Sequence, residues 1–321
     1  MNELPRGFLL RRPELADARG IVALLVACDI ADLGRPDSTL EDLQADWTHP
    51  RFDRLRDTWI VVTPDRAIVG YAWAWDRVPH VDVQADVHVL PEHRRKGIEE
   101  VLIGLLEGRG REHAAAAPAE AGVHLALFAK PGSVVAPILP SRGYVRVRTY
   151  LRMTIELKAG YPAPGAPKGI EIRPFCQGID ERAVHGLIED SFSNHFRFAP
   201  APHDEWVSRR VGHPEFDPDL WFVAWEGEEP VGAVLPYLYG DLGWVRELGV
   251  RRRARGRGIG KALLLETFRA FGVRKVDRVS LGVDAENATG ATRLYEGVGM
   301  REEERHDLYH LTLRLTLRHV R

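Results

Sequence analysis

The sequence of 321 residues predicts an α+β protein of two similar halves, each with a mixed, mostly antiparallel twisted sheet flanked by helices. Three observations lead to this prediction. Short motifs recur at a nearly constant offset, and each half combines a predicted hairpin with a strand–helix–strand segment. The helix of that segment carries a single apolar stripe, which indicates packing on a sheet. The chain length also fits two domains of about 100–200 residues each.

The repeat consists of four landmarks that recur in the same order, 161 or 162 residues apart. They pair Arg12 with Arg173, Trp59 with Trp221, Gly70 with Gly232, and Arg94 with Arg255. Between the copies, residues 158–169 contain three prolines and three glycines, which a helix or central strand does not tolerate. The sequence therefore predicts a first domain over residues 7–157, a linker over 158–169 and a second domain over 170–317.

The two halves have matching predicted elements. A short strand (8–11; 170–173) precedes a helix (17–27; 179–191), a hairpin (58–75; 221–239) and a fourth strand (82–89; 243–250). A basic, glycine-containing loop then leads into the main helix. Its apolar stripe consists of Ile98, Leu102, Leu105 and Leu106 in the first half and Leu264, Phe268 and Phe271 in the second. A fifth strand (123–128; 279–283), a short helix and two last strands complete each half.

Composition excludes several classes of protein. Hydrophobic residues make up 45% and charged residues 28% of the chain, which is typical of a folded globular protein. The formal net charge of −2 argues against a general polyanion binder. Two cysteines and 13 scattered histidines show no disulfide framework or metal-binding spacing, so no metal is predicted. Without a signal-like start or a long apolar run, we expect a cytoplasmic protein without a membrane partner.

The second half contains a candidate anion-binding loop where the fourth strand leads into the main helix. Gly256, Gly258 and Gly260 allow close approach of the backbone, and a helix N-terminus presents unpaired amides. Basic side chains lie in the same segment, so the pattern predicts a phosphate-bearing ligand. A tight turn with a solvated basic face would carry the same glycines. The P-loop pattern is excluded because Lys261 is followed by Ala262 rather than by Ser or Thr.

The loop and a second motif together resemble the GNAT acyltransferase superfamily. The loop matches its R-x-x-G-x-G sequence, and the second motif contains Asn287, Ala291, Leu294, Tyr295, Gly299 and Met300. The resemblance covers the second half directly and the first half through the repeat. It implies two tandem GNAT domains, with acetyl-CoA as the acyl donor and no metal.

The resemblance also assigns roles within the second half. The coenzyme pyrophosphate would lie on the amides of residues 257–261, and its pantetheine arm beside residues 248–250, where the fourth and fifth strands separate. Tyr295 would protonate the departing thiolate, while Asn287 would bind the coenzyme or cap a helix. The predicted coenzyme-binding residues are Leu248, Gly249, Val250, Arg255, Gly256, Arg257, Gly258, Ile259, Gly260, Lys261 and Asn287.

The general base departs from the family pattern. Many members carry a glutamate where this chain has Trp244. Glu247 is the candidate base, although strand alternation places it on the opposite face from Trp244 and a simple ion-paired carboxylate would fit equally. Asp241 is another candidate, and an acceptor of low pKa needs no base. His195, Tyr237 and Trp244 are the predicted substrate-binding residues, with His195 also a candidate base.

The first half is predicted to be degenerate. Glu99 replaces the last glycine of the loop, and a carboxylate there would repel a phosphate. Aligning Gly143 with Gly299 places Leu139 at the position of Tyr295 and Pro131 at that of Asn287. Neither residue has the chemistry required there, so the layout resembles tandem family members with one active half.

These observations predict an acetyl-CoA-dependent N-acyltransferase that acts on a small-molecule amine by direct attack. The alternatives are a non-catalytic acyl-CoA sensor or scaffold, and an enzyme that acetylates a protein amine. A nucleic-acid site at the arginine-rich residues 251–257 is disfavoured, because the net charge is near zero and the run belongs to the coenzyme motif. The acceptor, the acyl chain length and the oligomeric state are not determined by the sequence.

Overall fold

The computed structural model describes residues 3–49, 52–78, 80–157, 165–196, 198, 200–287 and 289–315. The described residues form two compact units. Unit 1 consists of Met1–Thr149 with His306–Arg321, and unit 2 of Tyr150–Arg305. Most of the predicted linker, residues 158–164, lies outside the described residues.

The first half of the chain follows the predicted order of elements, with extra helices before the hairpin. In order they are β1 (Leu9–Arg11), α1 (Ala18–Leu33), α2 (Leu40–Thr48), α3 (Arg54–Asp57), β2 (Thr58–Val62), β3 (Ile68–Val78), β4 (Asp82–Val89), α4 (Ile98–Ala116), β5 (Val123–Ala129), α5 (Ile138–Ser141) and β6 (Val145–Glu156). The extra helices α2 and α3 lie between the first predicted helix and the hairpin. The short α2 begins at Thr39, whose side chain accepts a hydrogen bond from the Asp42 amide.

The second half repeats this plan. Its elements are β7 (Glu171–Pro174), α6 (Glu181–Phe192), α7 (His203–Arg210), β8 (Phe222–Glu226), β9 (Glu229–Tyr239), β10 (Leu242–Val250), α8 (Ile259–Val273), β11 (Arg278–Asp284), α9 (Ala291–Glu296) and β12 (Arg301–Arg314). Within each unit the strands pair antiparallel, except for the parallel pairs β4–β5 and β10–β11. The predicted mixed, mostly antiparallel sheet is therefore confirmed.

The end of each half differs from the prediction. Each half ends in one long strand instead of two, and each long strand completes the sheet of the other half. Residues 307–314 of β12 pair with β5 in unit 1, whereas residues 150–156 of β6 pair with β11 in unit 2. Both strands can add to either sheet edge, so sequence periodicity does not specify the partner. The unit boundaries consequently differ from the predicted 7–157 and 170–317.

Each unit has an apolar core between its helices and its sheet. In unit 2 the predicted stripe of α8 is fully buried at Leu264, Phe268 and Phe271. Trp221 is also fully buried, and its indole nitrogen donates a 3.0 Å hydrogen bond to the Pro236 carbonyl. The buried stripe holds α8 against the sheet and so positions the loop that precedes it. Among the described helices, none combines the length and the apolar character needed to cross a membrane.

Candidate active site

A cleft opens in the sheet of unit 2 between β10 and β11. The parallel pairing of these strands runs from Leu242 with Arg278 to Val245 with Leu281. At the next residue, Arg246, the pairing of β10 with β9 shifts by one position, which is a β-bulge. Beyond the bulge, residues 248–250 and 281–284 line opposite walls of a cavity. The predicted separation of the fourth and fifth strands is therefore present.

The cavity has a volume of about 450 Å³ and lies entirely within unit 2. Its walls consist of the C-terminal part of β10, the loop before α8 with the first turn of that helix, the end of β11, α9, and the end of α6 with the residues that follow it. Of the predicted site residues, it is lined by His195, Leu248, Gly249, Val250, Arg255, Gly256, Gly258, Ile259, Gly260, Lys261, Asn287 and Tyr295. Residues far apart in sequence thus meet at one cavity.

The glycine loop turns the chain so that the N-terminus of α8 faces the cavity. Gly256 and Gly258 have φ values of 77° and 82°, and Gly258 is the N-cap of α8. A Cβ at either position would meet no atom within 4 Å, so the left-handed backbone rather than space requires glycine. The first amides of a helix have no intrahelical partner. Since Ile259 and Gly260 line the cavity, this end of α8 can receive an anion.

The loop arginines have structural partners. Arg255 donates to the carbonyls of Val250 (3.0 Å) and Ser191 (3.3 Å), which ties the loop to β10 and α6. Arg257 donates to Glu226 at 2.9 Å and does not line the cavity, so its predicted coenzyme contact is limited to its backbone. Lys261, in the first turn of α8, is a further basic residue that lines the cavity.

Tyr295, on α9, also lines the cavity. It is only 8% exposed, and burial raises the pKa of its hydroxyl to about 12. The turn after it is closed by the Met300 amide, which donates to the Tyr295 carbonyl at 3.0 Å, while Gly299 adopts a φ of 94°. The Gly-Met part of the motif therefore ends the helix that carries the tyrosine. At neutral pH Tyr295 keeps its proton and is a hydrogen-bond donor.

His195 and Asn287 lie together at the cavity wall. The Asn287 Nδ2 and His195 Nε2 atoms are 3.4 Å apart, and the His195 ring packs on Phe192. Burial lowers the pKa of His195, so the imidazole is neutral near pH 7. The alternative role of Asn287 as a helix cap does not hold, because the N-cap of α9 is Gly290. Asn287 instead accepts a hydrogen bond from the Thr289 amide in the preceding turn, at 2.9 Å.

Besides Arg257, three predicted site residues lie outside the cavity lining. Glu247 accepts hydrogen bonds from Arg210 at 2.6 and 3.0 Å. The Tyr237 hydroxyl donates to the Arg210 carbonyl at 3.1 Å, and Trp244 packs against the Arg152 guanidinium, 5.2 Å from its ring centre. Two consecutive residues, Val245 and Arg246, line the cavity instead, because the bulge interrupts strand alternation. Strict alternation of side chains therefore does not predict which residues of β10 face the cavity.

Among the cavity residues that were not predicted from the sequence, three show why. Arg246 is exposed at the bulge, and a bulge has no sequence signal here. Tyr150 arrives on the exchanged strand β6, which no motif indicates. Ser191 is in the last turn of α6, a helix that carries no site motif. Its hydroxyl is buried, and the described residues provide it with no hydrogen-bond partner, so it is available to a ligand.

Comparison with known proteins shows the family of this chain. The model of the acetyltransferase (GNAT) family matches residues 183–300, which include the cavity loop and Tyr295. A mycothiol acetyltransferase of Geodermatophilus obscurus is 32% identical over 90% of this chain and 92% of its own length. A mycothiol acetyltransferase of Streptomyces scabiei is 32% identical over 72% of each chain.

Solved structures extend the likeness to the whole chain. A GCN5-related N-acetyltransferase from Sphaerobacter thermophilus superposes with a TM-score of 0.87 at 34% identity, covering 98% of both chains. A tandem GNAT protein from the clavulanic acid biosynthesis pathway superposes with a TM-score of 0.69 over 97% of this chain and all of that one. At 15% identity the second likeness concerns the fold alone. The fold, the cavity and the relatives together show that this chain belongs to the GNAT family and is a tandem N-acetyltransferase.

Proposed function

We propose that unit 2 transfers the acetyl group of acetyl-CoA to the amine of a small molecule by direct attack on the thioester. The observation that carries the proposal is the convergence on one cavity of an anion-binding helix end, a cleft between strands and a buried tyrosine. The helix end accepts the pyrophosphate, and the cleft accommodates an extended pantetheine arm. Tyr295 then lies at the reacting end.

The chemistry requires stabilisation of two developing charges. The tetrahedral intermediate carries an oxyanion, for which a backbone N–H of Leu248 or Gly249 at the cleft is the proposed donor. The departing thiolate then receives a hydrogen bond from Tyr295. Burial disfavours both a thiolate and a phenolate. Tyr295 therefore keeps its proton before the reaction, and the departing thiolate is basic enough to receive it.

The amine must lose a proton to attack. An alkyl ammonium has a pKa of about 10, so at neutral pH a base is needed. Glu247 is unsuited to this role, because it is paired with Arg210 and does not line the cavity. His195 is the better base, since it lines the cavity and burial keeps its imidazole neutral. We therefore assign His195 as the base that receives the proton of the bound amine.

The pH dependence of turnover tests this assignment. A base must be deprotonated, so kcat should fall as the pH drops through the pKa of His195. Because that pKa is lowered, the fall should come below the usual histidine value of about 6.5. In His195→Asn the acidic limb should disappear and kcat should drop by about 100-fold. An unchanged acidic limb in this variant would show that another group is the base.

The proposed function itself is tested by thiol release from acetyl-CoA. The purified full chain would be assayed with a panel of small amines that includes the desacetyl form of mycothiol, because the relatives carry that name. We expect amine-dependent thiol release and an acetylated small-molecule product. Coenzyme binding without release for any small amine would favour the sensor alternative, and release with protein amines alone would favour a protein acceptor.

Unit 1 is proposed to be non-catalytic. Glu99 stands where unit 2 has Gly260 and is only 1% exposed, and its carboxylate accepts a 3.1 Å hydrogen bond from the Arg95 amide. A backbone amide of the loop is thus bonded to the chain's own carboxylate, and this buried carboxylate lies in the first turn of α4, where a phosphate would have to approach. Leu139, at the position aligned with Tyr295, is fully buried and has no proton to donate. We infer that the catalytic cavity of unit 2 works alone.

A further inference from the structure

A cluster of metal-ligating side chains lies in unit 1, apart from the acetyl-transfer site. Asp76 is near the end of β3, His80 is in the turn before β4, and His113 is in the last turn of α4. In the described part of the chain, no other three His, Cys, Asp or Glu side chains bring potential ligand atoms within 4.8 Å of one another. The histidines are 33 residues apart, so sequence spacing does not indicate the cluster.

The three atoms that converge are the Nδ1 atoms of both histidines and Oδ2 of Asp76. The two nitrogens are 3.0 Å apart, and the carboxylate oxygen is 3.4 Å from His80 and 3.6 Å from His113. Zinc bound at about 2.0–2.1 Å to nitrogen and oxygen ligands in a tetrahedron separates its ligand atoms by about 3.3 Å. The observed triangle therefore has the size of one face of such a tetrahedron.

The surroundings hold the ligands in place and leave one side open. The backbone amide of His80 donates to Oδ1 of Asp76 at 2.7 Å, so the second carboxylate oxygen is directed towards the imidazoles. His113 is buried, being only 5% exposed, whereas the side chain of His80 is 40% exposed. An ion can thus reach the cluster from solvent, and a water molecule can supply the fourth ligand.

We propose that Asp76, His80 and His113 bind one zinc ion. Two imidazole nitrogens and one carboxylate suit zinc, whereas magnesium and calcium prefer an all-oxygen set. The ion would join the β3–β4 turn to the C-terminal end of the 19-residue helix α4. Glu99 is in the first turn of the same helix, so the ion would lie far from it. Its effect is therefore on the stability of unit 1 and does not depend on the proposed acetyl transfer in unit 2.

Zinc binding to the full chain, without a histidine tag and after treatment with a chelator, tests the proposal. Calorimetric titration with zinc chloride should give one ion per chain, and the melting temperature should rise with zinc concentration. His80→Asn removes one ligand but suits the left-handed backbone at this position, where φ is 58°. This variant should weaken zinc binding by at least ~10-fold, the scale of effect known for metal-site partners.

The controls separate this site from adventitious binding. His93→Ala removes a histidine of unit 1 that lies outside the cluster and should bind zinc as the wild type does. Asp76→Asn keeps the shape of the side chain. As a single variant it should weaken zinc binding, as His80→Asn does. Equal zinc affinity in the wild type and His80→Asn, or no stoichiometric binding to the wild type, would overturn the proposal whatever the outcome of the acetyl-transfer assays.

Discussion

Replacing Tyr295 by phenylalanine is expected to lower kcat by about 100-fold or more, the usual size of a general-acid contribution. Tyr295 lines the cavity, and its hydroxyl keeps its proton because burial raises its pKa to about 12. Phenylalanine fills the same volume, so the KM for acetyl-CoA should stay close to that of the wild type. A loss in kcat without a loss in coenzyme binding is the signature of an interaction made in the transition state. Steady-state kinetics with the best acceptor measure both constants.

The matched control is Tyr237→Phe. Tyr237 is also buried, and burial likewise raises its pKa to about 12, but its hydroxyl donates to the Arg210 carbonyl and it does not line the cavity. The same substitution there should cost about 1 kcal/mol of stability from the lost hydrogen bond and leave kcat within about threefold. Similar kcat losses in both variants would contradict the assigned role of Tyr295.

Replacing Gly260 by glutamate is expected to remove acetyl-CoA binding, with a loss of affinity of at least ~100-fold. The change copies into unit 2 the carboxylate that Glu99 places in the loop of unit 1, where it bonds the Arg95 amide. A carboxylate at the first turn of α8 would compete with the pyrophosphate for the same amides and repel it. Calorimetric titration of acetyl-CoA should give one molecule per wild-type chain and no measurable binding to the variant.

Gly272→Glu is the control for this experiment. Gly272 is near the other end of α8 and is exposed, and a Cβ added there would meet no atom within 4 Å, so the same charge is introduced without touching the cavity. This variant should bind acetyl-CoA normally. At Gly260 a Cβ would meet the end of the flexible Leu294 side chain at 3.0 Å, so circular dichroism must show that the Gly260→Glu variant is folded. Two acetyl-CoA molecules per wild-type chain would contradict the inference that unit 1 is closed by Glu99.

Much of the fold followed from local patterns. The apolar stripe of α8 is buried where it was predicted, because a 3.6-residue period allows only one face to meet the sheet. The strands β4 and β10 were predicted within one residue of their observed bounds, since each is a short alternating segment between turn residues. The helix α7 was missed, because the polar residues around Trp206 present little apolar periodicity.

The part of the site that surrounds a single motif was also predictable. The loop at Gly256 and Gly258 and the helix carrying Tyr295 are short segments whose glycines, caps and helix ends lie next to each other in sequence. The direction in which the side chain of Glu247 points was not predictable. It depends on the bulge at Arg246, which shifts the strand by one residue, and on Arg210 of α7, which is 37 residues away.

The sequence by itself determined the repeat, the order of elements and the anion-binding loop, because each rests on residues close together in the chain. The tertiary structure decided which strand completes each sheet and which side chains reach the cavity. Tyr150 reaches it because β6 joins the sheet of unit 2, and Glu247 is excluded because a bulge turns it to Arg210. The approach of His113 to Asp76 and His80 is likewise long-range. Such contacts depend on how elements pack, which a local pattern of residues does not specify.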